Sequence, residues 1–174
     1  MTPLPQSTAR NRARDRVRRA LPSLGVALSG TLLWGVAMGA SALLNLLLDD
    51  WETAAKIRFV SLLYAAGGAL AFPVGLFLAR IVSLGRHWEL ALAAAFVCLL
   101  VATIGFTGGL FALQYRSYYA GWHAPALTIT WAFEFVYTVA TAFYQFVVLG
   151  IRLYFPLGFI ALAVASVWFA RKQR

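Results

Sequence analysis

Five apolar runs, each long enough to cross a bilayer, leave so little chain between them that no soluble fold is open to this sequence. They begin near Leu21, Phe59, Leu90, Ala126 and Tyr154. The composition agrees: 61% of the 174 residues are hydrophobic and only 12% are charged, which a soluble globule of this size could hardly carry. The expectation is an all-α, polytopic integral membrane bundle of about five transmembrane helices. It divides into a basic arm, residues 1–20, and a single transmembrane domain, residues 21–174.

Charge placement sets the orientation. Arg10, Arg12, Arg14, Arg16, Arg18 and Arg19 precede the first run with only Asp15 against them, so the positive-inside rule predicts a cytoplasmic amino terminus. The same arm is attracted to anionic lipid head groups, and without an aromatic residue to stack a base it gives no reason to expect nucleic acid. The first run is too long for a signal peptide, and the arm lacks the apolar face of a mitochondrial presequence. A bacterial plasma (inner) membrane is therefore expected.

The first span, 21–48, carries Gly35 and Gly39 in a GxxxG, and Ser41 and Asn45 one turn apart. Asp49, Asp50 and Glu52, with Lys56 and Arg58, form a loop in which Trp51 sits at head-group level. In the second span, 59–78, Gly67, Ala71 and Gly75 recur every four residues as a ridge for close helix packing, and Pro73 is expected to bend it. The third span, 90–113, contains a second GxxxG, Gly105 and Gly109, expected to pack against a helix and to weaken the span's outer end. An aromatic belt, Tyr115 to Trp122, follows.

The last two runs, 126–149 and 154–170, are separated by only four residues, and one continuous helix would be about twice the hydrocarbon thickness. A break at Gly150, Arg152 at the turn and Pro156 starting the second helix give five crossings and an external carboxyl terminus. This places Arg171, Lys172 and Arg174 outside, against the positive-inside rule. A four-crossing path, with residues 126–149 re-entrant or lying at the outer interface, satisfies that rule but needs protein to cover its broken backbone. Hydrophobic length selects five, the expected number.

The fourth span is also the one with a polar stripe. At 100° per residue Glu134, Thr138, Thr141 and Gln145 share one side with Tyr137, while Phe135, Val136, Val139, Phe143, Phe146 and Val147 lie opposite. Such a stripe faces protein or a water-filled cavity. Asn45, Tyr137 and Arg152 are further candidates for a pathway or a partner contact.

Catalytic patterns are absent: no serine or cysteine nucleophile with a base at helical spacing, no paired intramembrane carboxylates, no zinc or phosphate-loop motif. Cys98 stands alone, and His87 and His123 lie at opposite ends of a span, so neither metal nor any other cofactor is expected. The leading expectation is a non-catalytic structural, assembly or accessory subunit that packs against itself or a larger membrane protein. The alternative is a transporter or channel protomer with a pathway lined by the Glu134 stripe.

Overall fold

A computed structural model describes residues 6–50 and 53–172, so Trp51, Glu52 and Arg174 lie outside the described residues. The described chain is a helical bundle without strands. Its elements are α1 (Gln6–Ala20), α2 (Leu24–Asp49), α3 (Ala54–Ser83), α4 (Trp88–Tyr119), α5 (Ile129–Gln145) and α6 (Leu157–Arg171). Between α5 and α6 the chain stays coiled, first as a π-helical turn over Phe146–Gly150 and then as a 3-10 turn over Ile151–Tyr154. Four stretches are long and apolar enough to cross a membrane: α2, α3, α4 with its 3-10 extension, and Ile129–Tyr154; α6 is shorter.

Small residues pack the first three long helices. A Cβ on Gly35 would stand 2.9 Å from the Ala65 carbonyl oxygen, and one on Gly39 only 2.8 Å from the Ala65 Cβ. Gly35 also faces Ala69 and Gly39 faces Ser61, so moving up α2 means moving down α3. On the other side of α3, Gly67 abuts Thr107 and Gly75 abuts Leu99, again in opposite directions, with Ala71 fully buried between them. Thus α2 and α4 run parallel and end at the same end of the bundle. Trp34 Nε1 donates to Thr103 Oγ1 at 3.0 Å and ties these two helices together.

Two expectations about α4 fail. The helix continues unbroken to Tyr119, and Gly105 and Gly109 face open space; Gly108 is the residue that makes the close approach, to Phe146. The reason is phase: one residue along a helix turns the contact by about 100°. Along α3, by contrast, the helix runs through Pro73 without interruption.

The end of the chain takes neither full fifth traverse nor the predicted turn at Gly150. Arg152 pairs with Asp49, the last residue of α2, at 3.3 Å, while Tyr115 and Tyr119 of the last turns of α4 stand beside Glu134 near the start of α5. Both ends of Ile129–Tyr154 therefore lie towards the end where α2 and α4 finish. At about 1.5 Å per residue its 26 residues cover about 39 Å, so the stretch runs obliquely across the bundle. The chain then breaks at Phe155 and Pro156, and α6 runs back. Gly158 meets Met38, and one turn later Leu162 shares a small cavity with Trp34 and Leu100.

That direction carries Arg171 to the end where α2 and α4 begin, the end at which α1 enters. Arg18, Arg19, Arg80, Arg86, Arg171 and Lys172 belong to this end, which we call the basic end; Arg80 donates to the Leu21 carbonyl at 3.0 Å. Asp49, Asp50 and Glu134 belong to the other. The expectation that the two chain ends lie at opposite ends of the bundle is thereby corrected, because residues 129–171 together make one traverse, not two.

The packing predicts a contrast. Gly67→Val or Gly75→Val should lower the thermal midpoint in mild detergent, by overpacking of about 1–3 kcal/mol. Gly105→Ala and Gly109→Ala should leave it unchanged or raise it, since alanine is the better helix former by up to about 1 kcal/mol. Equal sensitivity of the two pairs would contradict the assignment of helix faces.

Candidate functional site

The oblique stretch begins at a built cap. Thr128 Oγ1 accepts from Trp131 N at 3.1 Å and donates to the Pro125 carbonyl at 2.9 Å, so α5 opens at Ile129 and Pro125 lies in the turn ahead of it. Glu134 is consequently in the second turn of α5 and not deep within a span. Its Oε2 accepts from Ala124 N at 2.8 Å, fastening the loop back onto the helix. Thr138 Oγ1 donates to the Glu134 carbonyl at 2.6 Å and lies 3.2 Å from His123 Nε2. A hydroxyl has one proton to give, so with that proton on the carbonyl the histidine contact requires Nε2–H as donor.

The polar stripe lies at one edge of the buried side of α5: Glu134, Thr138, Thr141 and Gln145 are all half-buried, while Tyr137 is 80% exposed. The deepest positions, Ala142 and Phe146, lie further round the helix, about 80–120° from Glu134. Phe135, Val139 and Phe146, expected opposite the stripe, turn inwards instead. Arg116 of α4 covers the Phe135 ring at 5.1 Å, and Phe146 packs against Tyr64 and Phe111. Aromatic mass on α4 outweighs the polar stripe in setting the rotation of α5. The stripe is left on the flank, along the walls of two cavities.

The smaller cavity, about 310 Å³, is lined by Tyr115, Tyr119, His123, Glu134, Tyr137, Thr138 and Thr141. The larger, about 600 Å³, lies between α3, α4 and the π-helical turn. Its walls are mainly apolar, Leu46, Phe59, Val60, Leu63, Phe111 and Leu149 among them, with Lys56, Gln114, Gln145 and Arg152 as polar members. Tyr115 and Tyr119, whose rings are 4.8 Å apart, belong to both. The predicted stripe is thus divided: Glu134, Thr138 and Thr141 on one cavity, Gln145 and Arg152 on the other.

Towards the basic end the larger cavity is closed by aromatic rings. Phe146 is 2% exposed, Tyr64 lies 6.2 Å from it and 5.0 Å from Tyr154, and Tyr64 OH donates to the Gly150 carbonyl at 2.7 Å. Below that layer the Glu134 stripe has no continuation.

Beside it the broken backbone is satisfied by α2. Pro156 has no N–H, and the 3-10 turn leaves the carbonyls of Leu153 and Phe155 without helical partners. Ser41 Oγ donates to the Leu153 carbonyl at 2.9 Å; Asn45 Nδ2 reaches the Phe155 carbonyl at 2.7 Å and that of Leu153 at 3.3 Å. Gly158 N, at the start of α6, donates in turn to Ser41 Oγ at 3.3 Å. Asn45, expected to need an interhelical bond, finds it inside the chain.

Tyr64 was not among the residues singled out from sequence, although a phenol amid the glycines and alanines of α3 was a usable signal. Tyr115 and Tyr119 were read as interfacial anchors. Among the described residues no group of acids, histidines and cysteines has the arrangement of a metal site. No protein-family model, curated protein or solved structure matches this chain.

Asn45→Leu should strand the Phe155 carbonyl, at a cost of about 1–3 kcal/mol, while Ser41 keeps that of Leu153. The expected readout is a lowered thermal midpoint with faster hydrogen exchange at Gly158 and Ile160. Ser29→Ala, which removes only a local bond to the Gly25 carbonyl, serves as the control and should change neither. A silent Asn45→Leu would mean that α2 does not hold the break.

Proposed function

We propose that this is a non-catalytic accessory protein of a bacterial plasma membrane whose working part is the paired cavity, holding an amphipathic ligand by its apolar tail. The observation that carries the reading is the larger chamber: its volume falls within the roughly 300–1,000 Å³ of small-molecule sites, and its apolar walls carry a few polar groups at the rim. An aliphatic chain suits such walls. The aromatic layer of Phe146, Tyr64 and Tyr154 supports a pocket over a conducting pathway, because a pathway needs the polar seam to continue.

Self-association through small residues loses its original motive. The Gly35, Gly39, Gly67, Ala71 and Gly75 faces are used within the chain. A larger membrane partner remains part of the proposal, on the apolar flank of α2 where Leu28, Leu32 and Val36 are each about two-thirds exposed. The basic end is assigned to the cytoplasm, since among the described residues bases far outnumber acids there, with only Asp15 and Glu89 against them. On this assignment the cavities open in the outer half of the bilayer.

Filling the chamber tests the reading. Native mass spectra of protein released gently from membranes should show a bound amphiphile. Val60→Trp or Leu149→Trp should reduce its occupancy at least tenfold while the thermal midpoint of the apoprotein stays put. An adduct-free wild type that also fails to bind added decyl maltoside, or undiminished occupancy in both filled variants, would overturn it.

A further inference from the structure

The smaller cavity has a chemistry distinct from the larger one. Among the described residues Glu134 is the only carboxylate lining either, and no lysine or arginine pairs with it. Arg116, in the adjoining turn of α4, is directed over the Phe135 ring instead. The bases of the larger chamber sit elsewhere: Arg152 is held by Asp49 at the far end of the oblique stretch, eighteen residues from Glu134. The smaller cavity therefore combines an unneutralised carboxylate with the faces or hydroxyls of three tyrosines.

Those tyrosines are part of a larger aromatic group. Tyr115 and Tyr119 rings lie 4.8 Å apart, Tyr118 meets Tyr119 edge-on at 5.1 Å, and Trp122 closes on Tyr119 at 5.5 Å. Ring faces attract cations through their quadrupole, and aromatic cages with a nearby carboxylate are how proteins recognise quaternary ammonium groups. A cavity of about 310 Å³ admits a trimethylammonium or ethanolammonium group with room to spare.

We propose that the cavity bounded by Tyr115, Tyr119, Tyr137 and Glu134 is a head-group site for an ammonium-bearing amphiphile whose tail occupies the adjoining chamber. The inference rests on the tail-binding reading above. The shared wall of Tyr115 and Tyr119 makes the two sites one: a single molecule can keep its charge against Glu134 and its chain against Phe111 and Val60. Glu134 does this while one oxygen holds Ala124 N–H, which keeps the carboxylate fixed before the ligand arrives. His123 Nε2 is engaged with Thr138, one turn from Glu134 on the same face of α5.

The test uses two amphiphiles with the same tail, decyltrimethylammonium and the neutral decyl maltoside, titrated into the full-length protein in amphipol. The cation should bind at least tenfold more tightly. Glu134→Gln keeps an acceptor for Ala124 N–H and should remove that preference, leaving the maltoside affinity within a factor of two. Tyr119→Leu should cut the preference several-fold with the carboxylate still in place.

Equal affinities in the wild type, or a preference that survives Glu134→Gln, would overturn the head-group site while leaving the tail chamber standing. Binding of neither amphiphile would overturn both. A decyl sulfate control that binds as tightly as the cation would also contradict the site, since it would show that charge sign is not read.

Discussion

Everything distinctive in this bundle depends on how the eleven residues of non-α backbone from Phe146 to Pro156 are satisfied in apolar surroundings. Between Phe146 and Pro156 the chain passes through a π turn, a 3-10 turn and a proline, and each leaves polar groups that lipid cannot solvate. Tyr64 takes the Gly150 carbonyl; Ser41 and Asn45 take those of Leu153 and Phe155. Three side chains on two helices thus do what water would do elsewhere. With them in place the chain can stop short, turn, and return towards its basic end. Without them residues 129–171 would have to form longer unbroken helices, and the space between α3 and the π turn would close.

The bundle divides into a firm part and a light part. Helices α2, α3 and α4 touch through glycines and alanines, where any added carbon meets a neighbour within about 3 Å at several positions. Along α5 only Ala142 is buried, and of its most apolar 18-residue window just 11% lies inside the bundle. Elements with few buried contacts are the ones that open first. The cavities lie on that seam, so the proposed ligand would enter beside α5 and not through the packed core. The aromatic layer beneath, centred on Phe146, separates the lightly buried part from the packed one.

Much of this was legible in the residues, and the exceptions have physical causes. The repeat Gly67, Ala71, Gly75 did report a contact face, because small side chains at four-residue spacing let a neighbouring backbone come close. Gly105 and Gly109 carry the same spacing and touch nothing; spacing alone does not say which of two adjacent faces meets a partner, and Gly108 met it. The stripe around Glu134 was visible too, but the rotation of α5 follows contacts from other helices, Arg116 over Phe135 and the rings of Tyr64 and Phe111 against Phe146, which a helical wheel of one segment does not contain. The helical bundle was legible as well, with four long apolar stretches and a shorter fifth; the path of the fourth was not. Hydrophobic length assumes a helix roughly along the bundle axis, and the oblique path of residues 129–154 breaks that assumption. The basic residues at the carboxyl end, which the five-crossing path had to override, pointed to the arrangement found.

The central claim is that residues 129–154 stop short of crossing and that α6, after the break at 155–156, completes a single traverse, and one labelling experiment bears on it directly. In a Cys98→Ser background, single cysteines replace Leu127, Arg152 and Lys172, and a membrane-impermeant maleimide is applied to one face of sealed vesicles of known orientation. The account predicts that Leu127→Cys and Arg152→Cys react from the same face and Lys172→Cys from the other. Labelling of Arg152→Cys from the Lys172 face would mean that residues 129–149 cross the membrane as an independent span, and the account would be wrong.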